Sequence, residues 1–284
     1  MTLVEALVLG VVQGLTEFLP ISSSAHLVLV PRLAGWAEPS LPYLVLLHAG
    51  TLVALFTYFW RDLLLTARGM LRPGSDRRFL MLLILGTLPA AVIGAAFETQ
   101  FESAFGKPFQ VALQLVATGV ILVGAEALAR RRDRAPLTGG NSRVGGGPQD
   151  HENEGNDTHE IAKRLSGIGA VFVGLTQAFA IVPGISRSGA TIAGGLLSGL
   201  TRAQAARFSF LLAVPILFGT SAFEVPQLSG SDMGVGPLLV GFVASAVSSY
   251  AAIATMIGYL QRRGLFPFAL YCLVVGSVMA LLLA

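Results

Sequence analysis

Charged residues are scarce in this chain: Asp, Glu, Lys and Arg together make up 12% of its 284 residues, while 54% are hydrophobic. A soluble domain carries about 25% charged residues, so the composition excludes an ordinary solvated globular protein. Apolar runs of about 20 residues, the length that crosses a bilayer, recur along the chain. The composition therefore predicts a polytopic helical membrane protein.

Cysteine is nearly absent as well. Cys272 is the single cysteine, which excludes an internal disulfide, and its apolar surroundings predict inert packing. The N-terminal segment MTLVEALVLGVV has no positively charged start and no cleavage site, and it contains Glu5. We therefore expect that it is not a signal peptide.

Six stretches have the length and apolar character of membrane spans: 41–60, 80–97, 108–128, 208–224, 237–260 and 265–284. Two further apolar regions, 2–31 and 166–200, are each broken near the middle by a proline followed by a serine-containing cluster. Each half is short for a span. We therefore predict two re-entrant helical hairpins, which a membrane tolerates where protein or water covers the broken backbone.

Positive charge falls on one side of this arrangement. All of the 19 Lys and Arg residues except Arg32, Lys107 and Arg187 lie in segments that six spans place on the same side. The positive-inside rule predicts that this side is cytoplasmic. The hairpin at 2–31 then enters from outside and the hairpin at 166–200 from the cytoplasm, so that they can meet near the midplane.

Short internal repeats support two halves of opposite orientation. GLTE at 14–17 matches GLTQ at 174–177, and PAAVIGAAFE at 89–98 matches PILFGTSAFE at 215–224. Inverted repeats with a site between broken helices are found in many membrane transporters. We predict an all-α fold with inverted-topology repeats.

The predicted boundaries follow from these matches. Residues 1–128 form the first repeat and residues 166–284 the second. The segment 129–165 between them is rich in Gly and polar residues, which predicts a flexible cytoplasmic linker. His151 and His159 lie in this linker and are interpreted as solvated histidines.

The first hairpin carries polar chemistry in an apolar setting. Glu17 lies deep within it, where an ionised carboxylate is costly and functional by default, and Gln13 precedes it by one helical turn. His26 follows Ser23 by three residues, a spacing that suits a hydroxyl nucleophile and its base. The alternative, in which Ser22–Ser24 only cap a helix and His26 packs, stays open.

The second hairpin contains PGISRSGAT at 183–191. Arg187 lies between Ser186 and Ser188, with Thr191 one turn further on. A helix that begins here directs its N–H groups and positive dipole end toward the loop, and a guanidinium binds phosphate oxygens bidentately. The pattern predicts an anion site.

A carboxylate beside an anion site is repulsive unless a cation lies between them. We therefore expect a divalent cation, Mg²⁺ or Ca²⁺, held by Glu17 and substrate phosphates, because these ions prefer oxygen ligands. His48, the single histidine of the span at 41–60, is interpreted as a packing residue. Charge neutralisation, positioning and a deprotonated attacker are what hydrolysis of a phosphoanhydride needs.

QGLTEFLPISSSAH at 13–26 and PGISRSGAT at 183–191 resemble the undecaprenyl-diphosphatase family of the bacitracin-resistance type. The resemblance covers nearly the whole chain except the segment 131–163. It implies an integral membrane phosphatase that removes the terminal phosphate of a C55 polyprenyl diphosphate, recycles the cell-wall carrier lipid and confers bacitracin resistance. It also implies a location in the inner (plasma) membrane, with the active site open to the outer face.

The resemblance implies roles for individual residues. The family's motif of Glu or Gln, three residues, then Glu corresponds to Gln13 and Glu17 as metal ligands, with Gln13 adding polarity rather than charge. The implied catalytic residues are Glu17, Ser23, His26 and Arg187. The implied substrate contacts are Gln13, Ser22, Ser24, Ser186, Ser188 and Thr191.

Two questions stay open at this point. The attacking group is either Ser23 deprotonated by His26, which we favour, or a water activated by His26 or Glu17. A lipid flippase or anion exporter shares the architecture but needs no nucleophile.

We expect a lipid substrate and membrane lipid as partners and no nucleic acid, and we leave a homodimer open.

Overall fold

A computed structural model of the protein describes residues 1–71, 74–96, 107–134, 154–224 and 234–284. Within these ranges the regular elements are twelve α-helices. They are α1 (Leu3–Phe18), α2 (Ser23–Ala34), α3 (Leu41–Tyr58), α4 (Trp60–Arg68), α5 (Ser75–Ala96), α6 (Pro108–Arg134), α7 (Glu154–Arg164), α8 (Gly167–Phe179), α9 (Arg187–Leu197), α10 (Arg202–Glu224), α11 (Val235–Arg262) and α12 (Phe266–Leu283).

Six of these helices are long and apolar enough to cross a bilayer. Their candidate spans are Leu41–Tyr58, Ser75–Ala96, Pro108–Arg132, Arg202–Ala222, Val235–Arg262 and Phe266–Leu283. The predicted number and order of spans are confirmed. The helices α5 and α10 begin about one and a half turns earlier than predicted, because backbone hydrogen bonding continues into charged residues that an apolar pattern leaves out. The chain is a multi-pass membrane protein.

The helix α1 packs along α11 and also contacts α3. Two glycines permit this approach, since a Cβ at Gly14 would lie 2.5 Å from the carbonyl oxygen of Ser245, and a Cβ at Gly10 would lie 2.5 Å from that of Gly241. Lipid offers no hydrophobic force between helices, so close van der Waals contact through small residues drives their association. The helix that carries Glu17 is therefore fixed by backbone proximity.

Two pairs of short helices position the site: α1 with α2, and α8 with α9. Each pair is joined by a turn with a residue in the left-handed region, Ser22 at φ 68° and Gly184 at φ 97°. The turns contact each other, because the Gly184 N–H donates to Ser24 Oγ at 3.1 Å and Ser188 Oγ donates to the Leu19 carbonyl at 3.1 Å. The two helix–turn–helix segments thus meet at their turns.

The segment 129–165 differs from the predicted flexible linker at both ends. The helix α6 continues to Arg134, and α7 packs on α5 with Ile161 fully buried. His159, interpreted as solvated, has its Nε2 2.7 Å from Asp76 Oδ1. The prediction used the average composition of residues 129–165, which is polar, and so missed the short amphipathic stretch that forms α7. Residues 135–153, including His151, lie outside the described residues.

Candidate active site

Glu17 lies in the last turn of α1, where it accepts hydrogen bonds from both helix pairs. Its Oε2 accepts from Ser23 Oγ at 2.5 Å and from Gln13 Nε2 at 2.9 Å. Its Oε1 accepts from Arg187 Nη2 at 2.8 Å. The residue is only 6% exposed. A carboxylate buried to this extent is stable as an anion because three hydrogen-bond donors, one of them a charged guanidinium, replace the lost water.

Arg187 is the first residue of α9, and Ser186 caps that helix. One terminal nitrogen of its guanidinium binds Glu17, while Nη1 is buried without a hydrogen-bond partner among the described residues. Buried donors are nearly always paired, so an unused charged N–H at a helix N-terminus indicates a place for an anion. The anion site predicted from the sequence stays a prediction, and this donor is the group that would serve it.

The three consecutive serines have different contacts. Ser22 adopts the left-handed region and its Oγ accepts from the Ala25 N–H, so it caps α2. Ser24 Oγ accepts from the N–H of Gly184 and holds the other turn. Ser23 alone directs its hydroxyl to Glu17. A non-glycine residue at positive φ costs about 1–3 kcal/mol, and here it aims Ser23 at the carboxylate.

His26 makes no hydrogen bond with Ser23 in the described part of the chain, where both ring nitrogens have other partners, so the predicted pair of nucleophile and base is not seen. Its Nδ1 lies 2.7 Å from the Ser22 carbonyl, and its Nε2 lies 2.8 Å from the Tyr271 hydroxyl. A carbonyl only accepts, so Nδ1 carries a proton. The His26 and Tyr271 rings also stack, with centroids 5.7 Å apart. The cap at Ser22 sets the helix register, which turns the imidazole toward Ser22 and α12.

The hydroxyls of the second motif bind protein groups. Ser186 Oγ accepts from the Gly189 N–H at 3.0 Å, and Ser188 Oγ donates to the carbonyl of Leu19. Thr191 departs furthest from the predicted substrate contact, because its hydroxyl lies 2.5 Å from Ser209 Oγ on α10. These three side chains shape the turn, and among the polar residues of the motif Arg187 keeps a buried N–H without a partner in the described residues.

Sequence reasoning missed two side chains near the site. His48, interpreted as packing, places its Nε2 3.6 Å from Glu17 Oε2. An ionisable side chain in an apolar span is a signal of a functional residue, and this signal could have identified His48. Tyr271 lies 245 residues from His26 in the chain and carries no local pattern that could have linked the two.

The oxygen donors of the site can be compared with the needs of Mg²⁺ or Ca²⁺. No three His, Cys, Asp or Glu side chains converge as a metal cluster in the described ranges. Gln13 Oε1 is nevertheless buried without a partner there, one turn from the Glu17 carboxylate. Mg²⁺ is commonly bound by one or two protein carboxylates and completed by substrate phosphates. The donors fit a cation shared with a bound diphosphate rather than a complete protein cage.

These features define an integral membrane protein with a buried site for an anionic substrate. The chain matches the family described as "Bacitracin resistance protein BacA" over residues 6–278. It belongs to that family, and the family resemblance predicted from the two motifs is confirmed.

Relatives carry the name undecaprenyl-diphosphatase. The protein of Geobacter sulfurreducens is 40% identical over 295 residues, covering 100% of both chains. That of Mycolicibacterium paratuberculosis is 39% identical over 301 residues, covering 99% of this chain and 97% of the relative. That of Geotalea daltonii is 37% identical over 289 residues, covering 98% of this chain and 97% of the relative. Both helix–turn–helix segments lie inside the matched region.

Proposed function

We propose that this chain hydrolyses undecaprenyl diphosphate to undecaprenyl phosphate and inorganic phosphate, which recycles the cell-wall lipid carrier and confers resistance to bacitracin. The observation that carries the proposal is the unused, buried Nη1 of Arg187 next to the Ser23–Glu17 hydrogen bond. It places an anion-binding group beside a hydroxyl that already shares its proton with a carboxylate. Family membership and the names of the relatives supply the substrate.

The terminal phosphate of the substrate binds between the two helix N-termini. Arg187 Nη1 and the first N–H groups of α9 face its oxygens, while the N-terminus of α2 lies across the junction. Both dipoles then have their positive ends toward the phosphate, where negative charge develops during transfer. The Arg187 contact to Glu17 holds the guanidinium in place before substrate arrives.

Ser23 is the nucleophile in the first step. Its Oγ attacks the terminal phosphorus as Glu17 takes the hydroxyl proton through the 2.5 Å hydrogen bond. The bond from this phosphorus to the bridging oxygen breaks, and undecaprenyl phosphate leaves with that oxygen. A phosphoserine remains, and Glu17 is protonated.

Water completes the reaction. Its oxygen attacks the phosphoserine phosphorus, the Ser23 Oγ–phosphorus bond breaks, and inorganic phosphate leaves. The water supplies one proton, which restores the Ser23 hydroxyl, and the proton held by Glu17 goes to the solvent or to the phosphate. His26 takes no proton in this scheme: its Nδ1–H binds the Ser22 carbonyl and holds the strained turn that aims Ser23.

A divalent cation, Mg²⁺ or Ca²⁺, belongs to this proposal, with Glu17 and Gln13 as its protein ligands. When bound, it neutralises charge on the diphosphate oxygens and relieves the repulsion between substrate and carboxylate. The buried, unpartnered Gln13 Oε1 supports this assignment.

The same proposal includes a location in the inner membrane, re-entrant hairpins, inverted repeats and a site open to the outer face. It is supported by equivalent packing in the two halves: α1 lies on α11 as α8 lies on α5, and α6 lies on α12. Gly145→Cys in intact cells should resist a membrane-impermeant maleimide, while Ser229→Cys should react. Reaction of the cysteine at position 145 from outside would refute the orientation.

Phosphate release by the purified protein in detergent tests the function. Prenyl diphosphates of graded length, with and without chelator, should show release that depends on a long chain and on divalent cation. Glu17→Gln and Arg187→Ala should lower release about 100-fold or more. Arg130→Ala, which removes a half-exposed partner of the buried Glu126, should not. Lipid movement across vesicles without phosphate release would favour a flippase instead. Light scattering of the same sample would show whether it is a homodimer.

A further inference from the structure

His48 on α3 faces the carboxylate of Glu17 from a helix that belongs to neither helix–turn–helix segment. Its Nε2 lies 3.6 Å from Glu17 Oε2, and its Nδ1 lies 2.8 Å from the Leu44 carbonyl. The His48 side chain is 25% exposed, against 5% for Glu17. It is therefore the more accessible of the two groups.

The contact to Leu44 decides which ring nitrogen carries the proton. A carbonyl oxygen accepts but cannot donate, so Nδ1 is the protonated nitrogen. In the neutral imidazole, Nε2 then presents a lone pair to the carboxylate of Glu17. A cation between them removes the repulsion of two electron-rich atoms that face each other, and a divalent metal ion can supply it. Histidines that bind metals commonly donate their other N–H to a backbone carbonyl, as His48 does.

Gln13 adds a third potential metal ligand. Its Nε2 donates to Glu17 Oε2, while its Oε1 is buried without a partner among the described residues. A 180° turn of the amide exchanges these atoms: it gives up the hydrogen bond from Nε2 to Glu17, which a bound cation replaces, and costs no bond at Oε1. The oxygen then lies beside the carboxylate, on the side where it can serve a cation.

We propose that His48 Nε2, Glu17 and Gln13 together bind the divalent cation of this site, and that the imidazole makes the site selective for first-row transition ions such as Mn²⁺. The proposal rests on the proposed function, since diphosphate oxygens and water complete the coordination. Imidazole suits Zn²⁺, Fe²⁺, Ni²⁺ and Cu²⁺, whereas Mg²⁺ and Ca²⁺ prefer oxygen ligands; Mn²⁺ is also suited by oxygen ligands but accepts an imidazole. The nitrogen ligand therefore raises the affinity of the site for Mn²⁺ relative to Mg²⁺ and Ca²⁺.

Electron-spin-echo spectroscopy of Mn²⁺ bound to the purified protein in detergent is the direct test. Wild-type protein should show modulation from a coordinated nitrogen, and labelling with ¹⁵N-histidine should change its frequency. His48→Gln should remove the nitrogen signal and weaken Mn²⁺ binding about tenfold or more in calorimetry, with Ca²⁺ binding changed less. The wild-type spectrum is informative even if this variant does not fold.

His159→Gln is the matched control, because His159 also lies beside a carboxylate, with its Nε2 2.7 Å from Asp76 Oδ1. It should keep the nitrogen signal. A wild-type spectrum without coordinated nitrogen, as expected if His48 is only an imidazolium paired with Glu17, would overturn the proposal. So would unchanged Mn²⁺ affinity in His48→Gln. Phosphate release that persists in that case would leave the proposed function standing, whereas its absence under all metals would reject the function itself.

Discussion

Two buried carboxylates, Glu17 and Glu126, differ in the donors that surround them. Glu126 is 3% exposed and is saturated by fixed groups. Its Oε1 accepts from Arg130 Nε at 2.7 Å and from Arg202 Nη2 at 3.1 Å. Its Oε2 accepts from Arg202 Nε at 3.0 Å and from the Leu265 N–H at 3.2 Å. Guanidinium and backbone amide groups do not give up a proton near neutral pH, so these contacts are structural, and Glu126 joins α6, α10 and the start of α12.

Glu17 has one arginine, one amide and one hydroxyl as donors. Only the hydroxyl of Ser23 becomes a nucleophile on losing its proton. The comparison shows that burial and an arginine partner do not by themselves mark a catalytic carboxylate, since buried ion pairs are also used structurally. Glu17 and Glu126 differ in the chemical type of their donors other than arginine: a hydroxyl and an amide for Glu17, and a backbone N–H for Glu126.

The arginines differ in the same way. Arg207 uses both terminal nitrogens, with Nη2 2.7 Å from Asp62 Oδ2 and Nη1 3.2 Å from Asp157 Oδ2, and so ties α4 and α7 to α10. Among the described residues, Arg187 has a partner for Nη2 and none for Nη1. A free terminal N–H is what an anionic substrate needs.

The largest effect on phosphate release is expected when a carboxylate is replaced by an amide. Glu17→Gln should lower phosphate release about 10²–10⁴-fold, because it removes the proton acceptor of Ser23, while the thermal midpoint in detergent changes little. Glu126→Gln should lower the thermal midpoint and leave the turnover of the folded fraction near normal. Measuring both quantities for both variants tests the distinction, and a reversed pattern would reject it.

Ser23→Ala should cost about as much as Glu17→Gln, and the double variant little more, because the two residues act as a unit. Ser24→Ala loses one hydrogen bond to Gly184, worth about 1 kcal/mol, and should lower turnover less than tenfold. Rapid quenching with ³²P-labelled substrate should trap phosphoserine in the wild type only. Substantial turnover of Ser23→Ala would make water the nucleophile.

Arg187→Ala should reduce turnover about 10²–10³-fold, since one charged donor to the developing phosphate charge is lost. Arg187→Lys should recover little, because an ammonium group cannot bind Glu17 and phosphate in a planar fork. Arg207→Lys, at the structural pair, should affect stability and leave the KM unchanged. Near-normal turnover of Arg187→Lys would show that a point charge suffices.

The smallest effect concerns helix packing and needs only stability measurements. Gly14→Ala should destabilise the protein by about 1–3 kcal/mol, since its Cβ would meet the backbone of α11. Gly124→Ala on α6 has no atom within 4 Å of the added Cβ and should be neutral or slightly stabilising. Equal thermal midpoints for the two variants would argue against close approach of α1 and α11.

The sequence by itself determined the class of the protein and predicted two charged residues that the fold brings together, Glu17 and Arg187. Six apolar stretches predicted six spans, because crossing a bilayer demands length and composition that local sequence displays. Glu17 and Arg187 were predicted as site residues because a charge in an apolar segment is costly unless it is used. The short helix α7 was missed, since its apolar residues were averaged into a polar segment.

Only the tertiary structure decided the partners within the site. Spacing placed Ser23 and His26 on one helix face, but the cap at Ser22 turned the serine to Glu17 and the histidine to Tyr271. Spacing along one helix shows which side chains are neighbours on it. It does not show which groups on other helices form hydrogen bonds with those side chains. His48, Tyr271 and Arg187 come from separate parts of the chain, and their approach depends on packing between helices, which local sequence does not encode.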